Sequence, residues 1–323
     1  MEPITHPHLC TDNSEWNESY YFVFFDKKNN LGGMTRLGFK PNKREGMTFL
    51  FLFLPNGSAG GFQLDQKVQN YSHSLQVGKM SHNYQQNSKW NYKFQGNIII
   101  VKNPEDLPKV RENPDLISEI QQVKMDLIFD PINDIYEYSE NMSPESLKIG
   151  KKAGDRHWEQ IALINGNLRI GDNNYFLENV FGQRDHTYGV RDWTGVGNWL
   201  YYVVWFNKNL AINPAVIITE NGQFSIGGFL FKNGKNIPLV EISIVDQQFR
   251  EDGILPISSE LKILDAQGFE HILKAVVGSI IPIPFIDSEG NQSILVQSMG
   301  KFELDGLSGG YGSFETLRRV KKS

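Results

Sequence analysis

The chain has little cysteine, no long apolar run and no excess of basic residues, and each shortage narrows what the protein can be. Its 323 residues include one cysteine, Cys10, which excludes an internal disulfide and fits a reducing compartment. No run of about eighteen apolar residues occurs, which excludes a transmembrane helix. The formal net charge of −5 comes without the basic stripe that nucleic-acid binding usually needs, so we expect no nucleic-acid partner.

The sequence also lacks several signatures of catalysis and export. It contains no Gly-x-Ser-x-Gly elbow, phosphate-binding loop or dinucleotide fingerprint, which counts against a hydrolase, an NTPase and a nicotinamide enzyme. The amino-terminal residues 1–14 are polar and lack the apolar core of a signal peptide, so we expect a cytoplasmic protein. His6, His8 and Cys10 resemble a metal clip, but they lie where a terminus is expected to fray and no second ligand pair follows. We therefore predict no metal and no cofactor.

Aromatic and β-branched residues are abundant, and they come in short runs. Phe, Tyr and Trp make up 12% of the chain. Runs at 20–25, 47–54, 92–101 and 123–129 are followed by similar runs in the second half, with Asn-Gly and related turn signals between them. This pattern predicts an all-β protein whose antiparallel sheets close into barrels or pair as sandwiches. Only two stretches could be helical: 116–122 and 144–151.

Two features of the sequence bear on whether the protein encloses a cavity. The runs 20–25 and 200–206 are apolar on both faces. Such strands occur in the wall of a barrel that holds one apolar ligand and also in a filled sandwich core, and the residues do not choose between these two alternatives. The polar segment 66–88 has little to bury, so it predicts a long exposed hairpin or loop, in which His73 and His82 would be solvated.

The chain also resembles itself. Residues 20–27 align with residues 201–208 without a gap, and residues 166–172 align with residues 300–306 in the same order. Two matches in one order indicate a tandem duplication. We therefore predict a first domain of residues 1–194, with insertions, and a second domain of residues 195–323.

The densest cluster of functional side chains is the stretch Gly-Gln-Arg-Asp-His-Thr-Tyr-Gly-Val-Arg-Asp-Trp at residues 182–193. Buried charge persists only when it is paired, so such a stretch either lines a cavity or forms a structural salt-bridge network. If the stretch is extended, Arg184, His186 and Tyr188 share one face and Asp185 lies on the other. A histidine in this setting could transfer a proton near neutral pH, while a satisfied core histidine is the structural alternative.

Residues 182–193 resemble the Gly-x-Arg-Asp-His-Ser-Trp-Gly-x-Arg-Asp-Trp signature of the carotenoid hydratase (hydroxyneurosporene synthase)-like, or AttH-like, proteins. The segment Trp158-Glu159-Gln160 and the opening Trp16-x-Glu18-Ser19-Tyr20 are also similar to that family. The resemblance covers most of the chain and implies two tandem lipocalin-like antiparallel β-barrels. This sequence departs from the hydratases in two places: Tyr188 stands where they have Trp, and Asn207 stands where they have an acid.

The resemblance implies cofactor-free acid/base chemistry, such as hydration, isomerisation or cyclisation, on an apolar molecule of isoprenoid or polyene type. The alternative is a carrier that binds a hydrophobic metabolite without turnover. His186 would shuttle the proton, oriented by Asp185 or Glu159. The catalytic candidates are His186, Asp185, Tyr188 and Asp192, and the substrate-binding candidates are Arg184, Arg191, Trp193, Tyr21 and Glu159.

Overall fold

A computed structural model of the chain describes residues 7–68, 75–191, 193–287 and 289–320. Nearly all of its regular elements are strands. In chain order they are β1 Trp16–Asp26, β2 Leu31–Lys40, β3 Glu45–Phe53, β4 Ala59–Lys67, β5 Gln76–Val77, β6 Met80–Tyr84, β7 Trp90–Val101, β8 Ile117–Pro131, β9 Tyr136–Glu137, helix α1 Pro144–Gly150, β10 Arg156–Ile170, β11 Asn173–Val190, β12 Asn198–Asn207, β13 Leu210–Ile218, β14 Phe224–Lys232, β15 Lys235–Phe249, β16 Pro256–Asp265, β17 Glu270–Ile286, β18 Gln292–Leu304 and β19 Leu307–Val320. Short 3₁₀ helices cover Pro41–Lys43, Pro104–Lys109, Pro114–Leu116 and Tyr138–Glu140.

The chain divides into two compact units. The first holds the residues up to Ile135 together with Gly154–Arg191, and the second holds Tyr136–Ala153 and the residues that follow Arg191. The second unit thus takes a segment, including α1, that lies within the first repeat. The domain division after residue 194 stays a prediction.

The first unit is an eight-stranded antiparallel barrel with an added hairpin. Its ladders run in the order β4-β3-β2-β1-β11-β10-β8-β7, and β4 pairs β7 at Ala59–Gly61 to close the ring. Along Trp90–Phe94, β7 pairs with β6 and not with β4. The β5–β6 hairpin therefore joins the sheet beyond the short pairing of β4 with β7. The interior holds one apolar cluster built from inward-facing residues such as Tyr20, Phe22 and Trp90.

The second unit contains a closed barrel of β12 to β19 in sequential order. Its connectivity is that of the first barrel, with β12 in the place of β1 and β19 in the place of β11. The segments 166–172 and 300–306 each end a strand and enter the hairpin turn before the last strand, as the repeat predicted. The fold of two tandem antiparallel barrels is therefore confirmed.

One detail of the repeat was wrong. The ungapped overlay puts Tyr20 on Tyr201, but Tyr20 lies in the interior cluster of the first barrel while Tyr202, not Tyr201, lies in that of the second. Because side chains alternate with a period of two, a shift of one residue exchanges the two faces of a strand. The equivalent of Tyr20 by facing direction is therefore Tyr202.

Local sequence explains the one α-helix found among the described residues. The Ser143 hydroxyl accepts a hydrogen bond from the Ser146 amide, and Pro144 occupies the first helical position. Both features favour a helix start, so the prediction for 144–151 is confirmed apart from its last residue. The prediction for 116–122 was wrong, since residues 117–122 begin β8 and pair with β7. There the cross-strand hydrogen bonds override a weak local helical preference.

The polar segment 66–88 also differs from expectation. Residues 69–74, with His73, lie outside the described residues, but the remainder forms the end of β4 and the β5–β6 hairpin. Val77, Met80 and His82 are buried, so the prediction that His82 is solvated was wrong. Period-two alternation within this short polar hairpin places these three residues on the interior face. Among the described residues, no helix has the length and apolar character needed to cross a membrane.

Candidate functional site

The functional stretch lies on β11, between β1 on one side and β10 on the other. His186 is opposite Tyr20 across β1 and opposite Trp158 across β10. Since Tyr20 faces the interior, the alternation of the strand puts Arg184, His186 and Tyr188 on the interior face as well. The predicted sharing of one face by these three side chains is confirmed. Asp185 lies on the outer face.

A buried carboxylate, Glu18, organises the interior end of the site. Its Oε1 atom is 2.8 Å from His186 Nε2 and 2.7 Å from His8 Nδ1, and the Tyr20 hydroxyl donates to it over 3.3 Å. The backbone amide of His8 donates to Oε2 over 2.9 Å. Glu18 and His186 are both 0% exposed. One carboxylate therefore joins two imidazoles and a phenol inside the barrel.

The pKa values establish which atoms carry protons. Burial raises the pKa of Glu18, but hydrogen bonds from His186 and His8 outweigh it and bring the pKa down to about 2. An ionised carboxylate only accepts hydrogen bonds, so His186 Nε2 and His8 Nδ1 must both donate. Burial lowers the pKa of His186, although Glu18 opposes this effect. At neutral pH the pair is thus carboxylate and neutral imidazole, and the basic atom of His186 is Nδ1.

Aromatic rings enclose this pair. The His186 ring stacks on Tyr20 at 4.2 Å between centroids, and the His8 ring stacks on Tyr188 at 4.1 Å. Trp158 lies 5.3 Å from His186 and 5.4 Å from His8. Such a surround excludes water and strengthens the electrostatic interactions within it.

Arg184 lies deeper in the same interior and is 1% exposed. Its Nε and Nη2 atoms donate to the side-chain oxygen of Gln160 over 3.2 Å and 2.9 Å. Its guanidinium carbon lies 5.3 Å from the centre of the Trp90 ring and 5.9 Å from that of Phe129. A cation over aromatic faces is stabilised by the ring quadrupoles, so Arg184 adds fixed positive charge to an aromatic interior.

A second titratable cluster lies on the outer face of the same three strands. Glu159 accepts from Gln183 Nε2 over 2.6 Å, and its Oε1 atom lies 2.7 Å from His157 Nε2. His157 Nδ1 also lies 2.7 Å from the Thr187 hydroxyl. Burial lowers the pKa of His157 to about 4. Glu159 is 1% exposed and is satisfied by this network.

Asp185 belongs to the outer cluster too. Its Oδ1 atom is buried without a hydrogen-bond partner. Burial raises its pKa to about 6, and the charge of Glu159 adds to the rise while His157, Arg191 and Arg36 oppose it. Arg191 therefore acts on Asp185 and His157 through its charge.

The structure thus places several of the predicted site residues away from His186. The orienting partner of His186 is Glu18, so the expectation of Asp185 or Glu159 in that position was wrong; both face away from His186. Tyr21 is opposite Asp185 on the outer face, where its ring meets the edge of Phe49. Trp193 belongs to the second unit and stacks on Phe285. Asp192 lies outside the described residues. The roles assigned to these residues stay predictions.

Sequence reasoning gave Glu18 and His8 no role at the site, although a signal for Glu18 was present. Trp16, Glu18, Tyr20 and Phe22 alternate along β1, so Glu18 is an acid on a face that is otherwise aromatic. A charge in such a position needs buried partners. His8 had been assigned to a fraying terminus, and only the folded chain shows that it binds Glu18.

Within the part of the chain that the structure describes, two groups of side chains could hold a metal ion. The ligating atoms of His8, Glu18 and His186 lie within 4.8 Å of one another, and those of His157, Glu159 and Asp185 do the same. In the first group the nitrogen–oxygen distances of 2.7 and 2.8 Å are hydrogen-bond lengths, so the residues as placed share protons directly.

Solved structures with the same fold exist. The crystal structure of a candidate AttH protein from Nitrosomonas europaea is 10% identical and aligns with a TM-score of 0.60 over 94% of this chain and 93% of that chain. Kievitone hydratase from Nectria haematococca is 11% identical and aligns with a TM-score of 0.55 over 96% of this chain and 90% of that chain. A search of curated proteins found no match. The resemblance to the AttH-like and hydratase-like two-barrel proteins is confirmed for the fold.

A family model covers almost the whole length, residues 3–320, and its description is a domain of unknown function, DUF7064. A match of this extent includes both barrels and every described residue of the Glu18–His186 site. The chain is therefore a member of the DUF7064 family.

Proposed function

We propose that the protein is a lipocalin-like enzyme that transfers a proton to and from an apolar small molecule inside its first barrel. The observation that carries the proposal is the hydrogen bond between the buried Glu18 carboxylate and His186 in an aromatic interior. The fold shared with kievitone hydratase supports hydration among the possible reactions. Isomerisation or cyclisation of an isoprenoid or polyene would need the same proton transfer.

The residues account for each step of a hydration. The reacting form of His186 is the imidazolium, a minor species at neutral pH that forms when Nδ1 takes a proton from solvent. It gives that proton to one alkene carbon, and the other carbon takes the oxygen of a water molecule. The second proton of that water then returns to Nδ1, so the enzyme is unchanged and one water has been added. Glu18 stabilises the transient imidazolium, as a carboxylate does in other histidine-based sites. The lowered pKa of His186 makes its imidazolium a stronger acid toward carbon.

The remaining site residues have supporting roles in this proposal. Tyr188 and Trp158 form the aromatic wall beside His8, and Arg184 contributes positive charge deeper inside. Asp185 and Glu159 act from the outer face by holding β10 and β11 in register through the His157 network.

The test is incubation with terminal isoprenoid alkenes in deuterated water, followed by mass spectrometry for deuterium on carbon. His186→Gln keeps a donor for Glu18 but has no basic atom, so we expect turnover to fall about 100- to 10,000-fold. His271→Gln changes the described histidine of the second barrel and should leave turnover unchanged. Full turnover by a folded His186→Gln variant would contradict the proposal.

The second candidate function is a carrier that binds a hydrophobic metabolite without turnover. It is favoured by the complete burial of Glu18 and His186, which suits a permanent structural pair as well as a reacting one. A molecule that co-purifies with the protein and gains no deuterium during prolonged incubation would select this alternative.

A further inference from the structure

Among the described residues, three buried polar atoms on the interior face of the first barrel have no hydrogen-bond partner: His82 Nδ1, Trp90 Nε1 and the Tyr92 hydroxyl. The three residues are 1%, 0% and 0% exposed. Buried polar groups nearly always have a partner, and leaving one unpaired costs about 1–3 kcal/mol. Three such atoms in one place need an explanation other than stability.

The three side chains lie together. His82 on β6 is directly opposite Tyr92 on β7, and Trp90 precedes Tyr92 by two residues on the same face. All three surround the ring of Phe22, with centroid distances of 4.7 Å to His82, 5.0 Å to Tyr92 and 5.7 Å to Trp90. The other nitrogen of His82 is occupied, since Nε2 lies 3.1 Å from the Thr35 hydroxyl.

This group is distinct from the Glu18–His186 site but faces the same interior. The Tyr20 ring lies between them, 4.2 Å from the His186 centroid and 5.9 Å from the Trp90 centroid. One ring thus separates the two polar groups.

The chemistry of the group selects the ligand atom. The Trp90 indole can only donate, and burial raises the pKa of Tyr92 well above its usual value, so its phenol stays protonated. Burial also lowers the pKa of His82 to about 3, so that ring is neutral. The Trp90 indole and the Tyr92 phenol are thus two neutral donors in a fully buried position, and they fit the oxygen of an alcohol or a carbonyl.

We propose that His82, Trp90 and Tyr92 form a second polar subsite, and that the ligand of the first barrel is an oxygenated apolar molecule with a neutral hydroxyl or carbonyl group. This inference rests on the proposed function only for the location of the ligand, because binding at the subsite needs no catalysis. It narrows the ligand from any polyene to one that carries an oxygen away from the reacting carbons.

The experiment compares probes with one carbon skeleton and different polar ends. Geraniol and myrcene share a ten-carbon isoprenoid skeleton, and binding is followed by quenching of tryptophan fluorescence. We expect geraniol to bind about 10-fold more tightly than myrcene, the gain of one satisfied buried donor. Farnesol and farnesene repeat the comparison for a longer chain.

Variants locate the effect. Tyr92→Phe should weaken the binding of geraniol about 10-fold and leave that of myrcene unchanged. Tyr202→Phe is the matched control, because that buried hydroxyl is in the second barrel and already bonds Ser259 at 2.9 Å. Equal affinities for alcohol and hydrocarbon at both chain lengths, or an alcohol preference that survives Tyr92→Phe, would overturn the proposal.

A second readout needs no ligand. Since the Tyr92 hydroxyl has no partner, Tyr92→Phe should raise the melting temperature of the ligand-free protein by about 2 °C, whereas Tyr202→Phe should lower it. A clear loss of stability in Tyr92→Phe would show that the hydroxyl is bonded, which also overturns the proposal. If Tyr92→Phe loses geraniol binding while the unchanged protein incorporates no deuterium into any alkene, the subsite is supported and the proposed enzyme is contradicted. The two proposals therefore fail separately.

Discussion

The two barrels share their strand connectivity but differ in what their closing ladders place inside. The β1–β11 ladder pairs Glu18 with Tyr188, Tyr20 with His186, and Phe22 with Arg184. On its interior face the β12–β19 ladder pairs Leu200 with Thr316, Tyr202 with Phe314, and Val204 with Gly312. A barrel of this topology therefore closes without an acid, an imidazole or a guanidinium on the interior face of this ladder, whose acid Glu315 lies opposite Tyr201 on the other face. Because buried ionic groups are weak contributors to stability, the contrast between the two ladders is consistent with the function proposed for the first barrel.

The described histidines repeat this contrast. In the first barrel, burial lowers the pKa values of His82, His157 and His186. In the second, burial acts in the same direction on His271, but its bonds to Asp305 and Asp265 raise the pKa overall. Burial thus favours the neutral form of His82, His157 and His186, while the two aspartates favour the charged form of His271.

The largest expected effect is a pH dependence of opposite sign in the two barrels. A lowered histidine pKa means that the unfolded state binds more protons, so stability is lost as the pH falls below 6.5 toward the folded pKa, about 3 for His82. At about pH 5 this amounts to on the order of 2 kcal/mol for His82 alone. The contribution of His271 is fully present below 6.5 and is lost as the pH rises through its raised pKa.

Hydrogen exchange at about pH 7.5 and pH 5, corrected for intrinsic rates, measures this difference. Peptides of β6, β10 and β11 should lose protection in acid, while those around His271 should keep it. His82→Gln should reduce the loss of exchange protection that the first barrel shows in acid, and His271→Gln should not. Equal loss of protection in both barrels would remove the contrast.

The next effect comes from making the first barrel resemble the second. Glu18→Leu leaves His186, His8 and Tyr20 without their shared acceptor, and we expect it to cost about 3 kcal/mol of unfolding free energy. The double variant Glu18→Leu/His186→Phe copies the apolar pairing of the second ladder and should recover much of that loss. Chemical denaturation of the single and double variants gives the coupling energy. Additive losses would show that the two residues do not act as a unit.

The smallest expected effect is the change in stability when one aspartate of each barrel is replaced by asparagine. The pKa of Asp185 is raised to about 6, so its folded form resists ionisation and stability falls as the pH rises from 3.8 through 6. Asp185→Asn should therefore raise the melting temperature by a few degrees at about pH 8, with little gain at pH 4. Asp265 has a lowered pKa, because its hydrogen bonds, first that from His271, outweigh the effect of burial. Asp265→Asn should thus be destabilising at neutral pH, and the same sign for both variants would contradict this account.

Part of the site followed from the sequence. Alternation along an extended strand is local, so the common face of Arg184, His186 and Tyr188 could be predicted from β11 alone. The partner of His186 could not, since Glu18 is 168 residues away and is brought there by the register of β1 on β11. The same limit explains His82, whose polar neighbours indicated solvent but whose pairing with β7 turns it inward.

The sequence by itself determined that the chain is all-β, antiparallel and repeated, because hydrophobic period and turn residues act between near neighbours. The residues left barrels and sandwiches open, and the resemblance to the AttH-like proteins implied the two barrels. Tertiary structure decided which acid meets which imidazole and which polar atoms stay unpaired inside. A shift of one residue in register reverses every side chain of a strand, so those contacts depend on pairings between strands far apart in the chain.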